Sequence, residues 1–196
     1  MDLCERIDEA RERWNVLRHP FYTRWERGEL TRDELAFYAG EYRHAVAALA
    51  EAASAAGDAE HAREEADHVA LWDAFAEALD APLDRDPTPE TSACARAWSR
   101  ADRLEALAVL YAVESSQPAI AETKLRGLVE HYSFRPDTDG TEYFALHAVR
   151  DKEHARAART ALRDASPADT PRLAKAAEDA LRANWLLLDG VERAAA

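Results

Sequence analysis

The sequence predicts an all-helical bundle of about seven helices, folded as a single domain over residues 1–196, and three observations support this. Ala, Leu, Glu and Arg dominate while only six Gly and eight Pro interrupt the chain, and these are residues that lose little freedom on entering a helix. Helix signals recur about every 20 to 30 residues, the spacing of a bundle with short connections. Hydrophobic residues make up 47% of the 196 positions, enough for one substantial core and short of two.

The first helix is expected over residues 3–17, broken by His19-Pro20, with a short helical turn through Trp25 before Gly28. Thr31 and Glu34 form a capping box, each side chain satisfying a backbone N–H of the other, and open a long helix to Ala56. Gly57-Asp58 stops it and caps the next, which carries HAREEADHVALWDAFAEAL to about Leu79. Three prolines mark residues 81–89 as the clearest loop, and Pro89 suits a helix start. Asp102 caps a helix to Ser116, Pro118 kinks or restarts it, and residues 119–132 are again helical. After a loop at 133–140, Thr141 opens a helix to about Ala165, and Thr170-Pro171 opens the last, to about Val191.

A formal net charge of −13 argues against nucleic acid as a partner, because neutralising phosphates needs an excess of Lys and Arg on some face. The charged start MDLCERIDEARERW has no apolar signal core, and no run of about 18 apolar residues follows, so neither secretion nor a membrane span is expected. Cys4 and Cys94 lie far apart and outside any CxxC pattern, which suggests a reducing, cytoplasmic setting and no disulfide framework.

Chemistry concentrates in three segments. In YFALHAVRDKEHARAAR, His147, Asp151 and His154 are spaced i, i+4, i+7, within a stripe of roughly 60° on one helix face. Two imidazoles and a carboxylate so placed suit iron, manganese or zinc, whereas Arg150, Lys152 and Glu153 fit a plain solvated face. In HAREEADHVALW, both Glu64 and Glu65 are within helical reach of His68, and either pair can share a metal; His61 and Asp67 fit a surface run of charges. In LAVLYAVESSQPAI, Glu114 follows a strongly apolar stretch, where a carboxylate costs free energy unless paired or bound to a cation. Three carboxylates and three imidazoles from three helices match the supply for two divalent metals in a bundle.

With those segments in view, the chain resembles the haem-oxygenase-like di-iron oxidases of the TenA/PqqC superfamily, and within it the CADD group associated with p-aminobenzoate synthesis. The matching stretches run in order over nearly the whole chain: HPFYTRWERGELTRDELAFYAGEYRH at 19–44, EEADHVALW at 64–72, YAVESSQPAIAETKLRGLVEHY at 111–132 and YFALHAVRDKEH at 143–154. The resemblance implies a haem-oxygenase-like helical bundle with metal ligands at Glu64, His68, Glu114, His147, Asp151 and His154. The residues that normally separate the family's Glu and His are missing here, which makes Glu65 the alternative to Glu64. It also implies that Tyr22 or Tyr38 is consumed as substrate and that Lys124 donates an amine, one of only three lysines against 22 arginines.

No cysteine lies in the matched segments, so the likeness does not extend to the nucleophile of the thiamin-degrading TenA enzymes. The PqqC branch works without metal, whereas a full ligand set stands here. The expected cofactors are two divalent metals, Fe/Fe or Fe/Mn, with O2 as co-substrate and an external reductant. Expected partners are O2 and a small molecule, with a homodimer as the assembly and no nucleic acid or membrane. The rival readings are a multiple-turnover oxidase of an external small molecule and a non-catalytic helical interaction protein.

Overall fold

A computed structural model describes residues 1–195, and these hold nine α-helices and no strand. They are α1 (Leu3–Arg13), α2 (Pro20–Glu26), α3 (Arg32–Ala56), α4 (Ala59–Ala78), α5 (Pro89–Trp98), α6 (Arg103–Glu114), α7 (Gln117–His131), α8 (Asp139–Leu162) and α9 (Thr170–Ala195), with a 3₁₀ turn at Val16–Arg18. The count exceeds seven because the expected turn through Trp25 and the expected start at Pro89 each form a short helix, α2 and α5, with His19 and Thr88 as N-caps.

Local chemistry sets most boundaries. The Thr31–Glu34 capping box forms as expected, and Asp58 and Asp102 each accept from backbone N–H groups of the helix they open. Gly57 ends α3 in the left-handed region at φ 87°, where a side chain would be strained. The first helix is shorter than expected: it stops at Arg13, and the Asn15 side chain, accepting from Leu17 N–H, starts the 3₁₀ turn instead. Pro118 restarts the chain as α7, whose first residue is Gln117.

The central helix α3 packs on α4, α5 and α6, α8 packs on α4, α6 and α7, and α9 covers α1, α5 and α6. The core is rich in aromatics: Trp25, Tyr38, Tyr42, Trp72, Phe75, Trp98 and Phe144 are all sealed from solvent. Each buried indole N–H finds a carbonyl, Trp25 on Lys124, Trp72 on Ala39 and Trp98 on Ala180, so none carries an unpaired donor. No helix among the described residues is long and apolar enough to cross a membrane.

Candidate metal centre

Helices α4 and α8 face each other across the interior, and α6 packs on α8 and ends at Glu114, whose carboxylate reaches His61 of α4. The α4 triplet His61, Glu65, His68 has the same i, i+4, i+7 spacing as the α8 triplet His147, Asp151, His154. The two run in opposite senses, so His61 lies against His154 with tilted rings and centroids 4.0 Å apart, and His68 meets His147 edge-on at 4.4 Å. Ligand atoms of His61, Glu65, Glu114 and His154 lie within 4.8 Å of one another, as do those of Glu65, His68 and His147, and Glu65 is common to both groups.

The inward-facing atoms have no hydrogen-bond partner: His61 Nε2, His68 Nδ1, His147 Nε2, His154 Nδ1 and both oxygens of Glu114 and of Asp151. His61 Nε2 sits 2.9 Å from Glu114 Oε1, and His68 Nδ1 2.9 Å from Glu65 Oε1, without hydrogen-bond alignment. Buried polar atoms are seldom left unpaired. This many in one buried cluster, nitrogen and oxygen mixed, is the donor chemistry of a borderline divalent cation. The residues therefore fit the metal pair that the sequence implies.

The outer ring atoms are held in place. His147 Nδ1 lies 2.7 Å from the Tyr143 carbonyl, which fixes the tautomer with Nε2 free to ligate. His154 Nε2 lies 2.9 Å from Glu64 Oε2, and Arg150 grips the other oxygen of Glu64 at 2.6 Å. Glu64, expected as the first choice of ligand, thus stands outside the cluster as the carboxylate that orients His154. At 100° per residue it falls at the edge of the His61–Glu65–His68 stripe, and Glu65 occupies the interior position.

The buried titratable groups of the cluster shift one another strongly. Burial, reinforced by Glu114 and Glu65, pushes Asp151 up to about 9, and burial pushes Glu114 up to about 7. Burial would also raise Glu65, but His61 and His68 outweigh it and hold its carboxyl below the usual range. Burial opposes charge on His61 as well, yet Glu114 and Glu65 lift it to about 10; His147, with burial and His68 against it, falls to about 4.

Next to this cluster lies an aromatic chamber. Tyr143 stacks on His147 at 3.9 Å and meets Trp72 at 4.9 Å; Trp72 in turn touches Tyr38 and Tyr42. Lys124, fully buried, places Nζ 4.5 Å from the Tyr42 ring, 5.2 Å from Tyr38, and 5.3 Å from both Tyr22 and Trp72. Tyr22 and Tyr38 share a 3.0 Å hydroxyl contact. Burial drives Lys124 well below the ordinary lysine value, toward a neutral amine, and drives both phenols well above theirs.

Of the residues singled out in the sequence, His68, Glu114, His147 and His154 come together with Glu65 in these two groups; Asp151 belongs to neither, but is buried with both oxygens unpaired and feels the charges of Glu114 and Glu65, and Tyr22, Tyr38 and Lys124 meet beside the cluster. The reading missed His61. The signal was present, since His61 opens the same spacing on α4 that His147 opens on α8.

Fold and site together define a haem-oxygenase-like helical protein whose core is fitted for metal. The solved structures agree on the fold: a haem-oxygenase-like domain from Shewanella denitrificans superposes with a TM-score of 0.78 at 18% identity, covering 98% of this chain and 93% of its own. A TenA homologue from Pseudomonas syringae gives a TM-score of 0.76 at 18% identity, covering 97% and 91%. The model of the iron-containing redox enzyme family matches residues 35–188, and the chain belongs to that family. It is therefore an iron-containing redox enzyme, which removes the non-catalytic reading. Curated relatives include 4-aminobenzoate synthases from Nitrosomonas europaea, 32% identical with 95% of this chain and 89% of the relative covered, and from Chlamydia muridarum, 29% identical with 96% and 89% covered.

Proposed function

We propose that this chain is a di-metal oxidase that activates O2 at the α4–α6–α8 cluster and makes p-aminobenzoate from one of its own tyrosines, with Lys124 giving the nitrogen. Glu65, His68, Glu114, His147, Asp151 and His154 would hold the metals, Fe/Fe or Fe/Mn. Once bound, the metals supply the oxidising chemistry, with O2 as oxidant and an external donor as the source of electrons.

The protein's part is placement and exclusion of water. Tyr143 and Trp72 bridge the cluster to the chamber as a continuous aromatic wall. The chamber keeps the Lys124 amine uncharged and hence nucleophilic. The Tyr22–Tyr38 contact fixes both phenols beside it. One observation carries the self-consuming reading: the amine, sealed from solvent, lies 5.2 and 5.3 Å from the rings of Tyr38 and Tyr22, whose hydroxyls meet, with Tyr42 nearer still at 4.5 Å. The relatives are named for making 4-aminobenzoate, the product this reading calls for.

The test is anaerobic iron loading followed by O2, with mass spectrometry of the small molecules and the intact chain. Self-consumption predicts p-aminobenzoate at no more than about one per chain, with loss of mass at Tyr22 or Tyr38. If Tyr22→Phe, Tyr38→Phe and Lys124→Arg proteins all still rescue a p-aminobenzoate auxotroph, self-consumption is wrong.

A second reading has its own observation. A cavity of about 390 Å³, walled by Leu107, Leu110 and Ala158, reaches His61 and His154 with Arg103 also lining it, so an external small molecule has a route to the cluster. Many turnovers per chain with an unchanged intact mass would select that reading.

A further inference from the structure

The six ligands above leave one imidazole unexplained. His61 sits on the same stripe of α4 as Glu65 and His68, its Nε2 is buried without a hydrogen-bond partner, and that atom lies 2.9 Å from Glu114 and 3.7 Å from Glu65. A surface histidine would turn this nitrogen to water; the His61 side chain is only 11% exposed.

We infer that His61 is a seventh metal ligand, so that each metal is held between two facing imidazoles, one from α4 and one from α8. This rests on the di-metal reading above and deepens it. The pairing follows from the opposed triplets: His61 with His154 and Glu114 at one end, His68 with His147 at the other, and Glu65 common to both groups. Glu64 then has a distinct task, orienting His154 from outside rather than ligating.

The seven-ligand set contains four imidazoles and three carboxylates, which balance all but one of the four positive charges of two divalent cations. The two ends also differ in access, since His61 and His154 line the solvent-facing cavity while His68 and His147 are sealed. The His61 end is therefore the more solvent-accessible of the two.

The experiment is anaerobic equilibrium dialysis of the full chain against Mn(II), with metal counted by mass spectrometry, on wild type, His61→Gln, His61→Glu and Glu64→Gln. Wild type is expected to hold two Mn(II) per chain, His61→Gln about one, and His61→Glu, which restores a ligand at that place, two again. Glu64→Gln is expected to keep two. Two Mn(II) in His61→Gln at wild-type affinity would overturn the assignment while leaving the di-metal reading intact; none in wild type would overturn both.

Discussion

Replacing Lys124 with Met tests the chamber through folding stability, independently of metal. The wild-type amine is sealed among five aromatic rings at 4.5 to 5.6 Å, and burial lowers its pKa from 10.5 despite the favourable ring faces. Replacing buried ion pairs by apolar side chains of similar volume is often neutral or stabilising by about 1–4 kcal/mol, and removing this lone buried amine should stabilise on the same scale. For a chain of this length each kcal/mol raises Tm by about 2–4 °C.

The pH dependence fixes the sign. The folded pKa lies below the unfolded one, so between them the unfolded chain binds more protons, and wild-type stability rises with pH by up to about 1.4 kcal/mol per unit. The cost of burying Lys124 is complete below the lowered pKa and vanishes above 10.5. Lys124→Met lacks this dependence, so its advantage over wild type should shrink as pH rises. Urea unfolding of both proteins at pH 7, 8 and 9 measures the gap, and p-aminobenzoate formation should be lost in the variant. A destabilised Lys124→Met protein, or a gap flat from pH 7 to 9, would refute the buried neutral amine.

Further outcomes follow from the cluster and the core. Glu65→Gln should abolish binding of at least one metal, whereas Glu64→Gln should weaken affinity about 10–100-fold through His154 while keeping the stoichiometry, as Mn(II) titrations will read. Because metal must displace protons from Asp151, raised to about 9, and Glu114, raised to about 7, Mn(II) affinity should climb as pH rises from 6 to 9, with proton release visible by calorimetry in buffers of different ionisation enthalpy. Trp72→Ala should cost about 3–5 kcal/mol in urea unfolding, since it removes a fully buried ring and its hydrogen bond to Ala39. Gly127→Ala should lower Tm, because a methyl group there would stand 2.6 Å from Trp25 Cδ1 in a closed core.

The bundle was legible because its helix ends are written locally. Thr31 with Glu34, Asp58, Pro89 and Asp102 each act on backbone groups within a few residues, so their effect can be read without knowing the packing. The early stop at Arg13 was harder to see, because periodicity continues to Leu17 and a single Asn15 side chain turns the backbone aside.

Adjacent glutamates posed a different problem. Glu64 and Glu65 have the same chemistry, and a 100° step decides which one enters the interior; Arg150, 86 residues further on, then draws Glu64 outward. His61 was passed over because neighbouring charges gave it the look of a surface group, and its burial depends on α8 closing over it. The Lys124 chamber could be inferred from likeness but not from pattern, since Tyr22, Tyr38 and Lys124 come from three helices with no shared spacing.

Anomalous scattering at the iron edge, from crystals grown anaerobically with Fe(II), tests the metal centre most directly. Two peaks roughly 4 Å apart between α4, α6 and α8, each within bonding distance of an imidazole from α4 and one from α8, are the predicted result. Iron confined to the protein surface, with the cluster's nitrogens and oxygens bonded only to water or to one another, would contradict it.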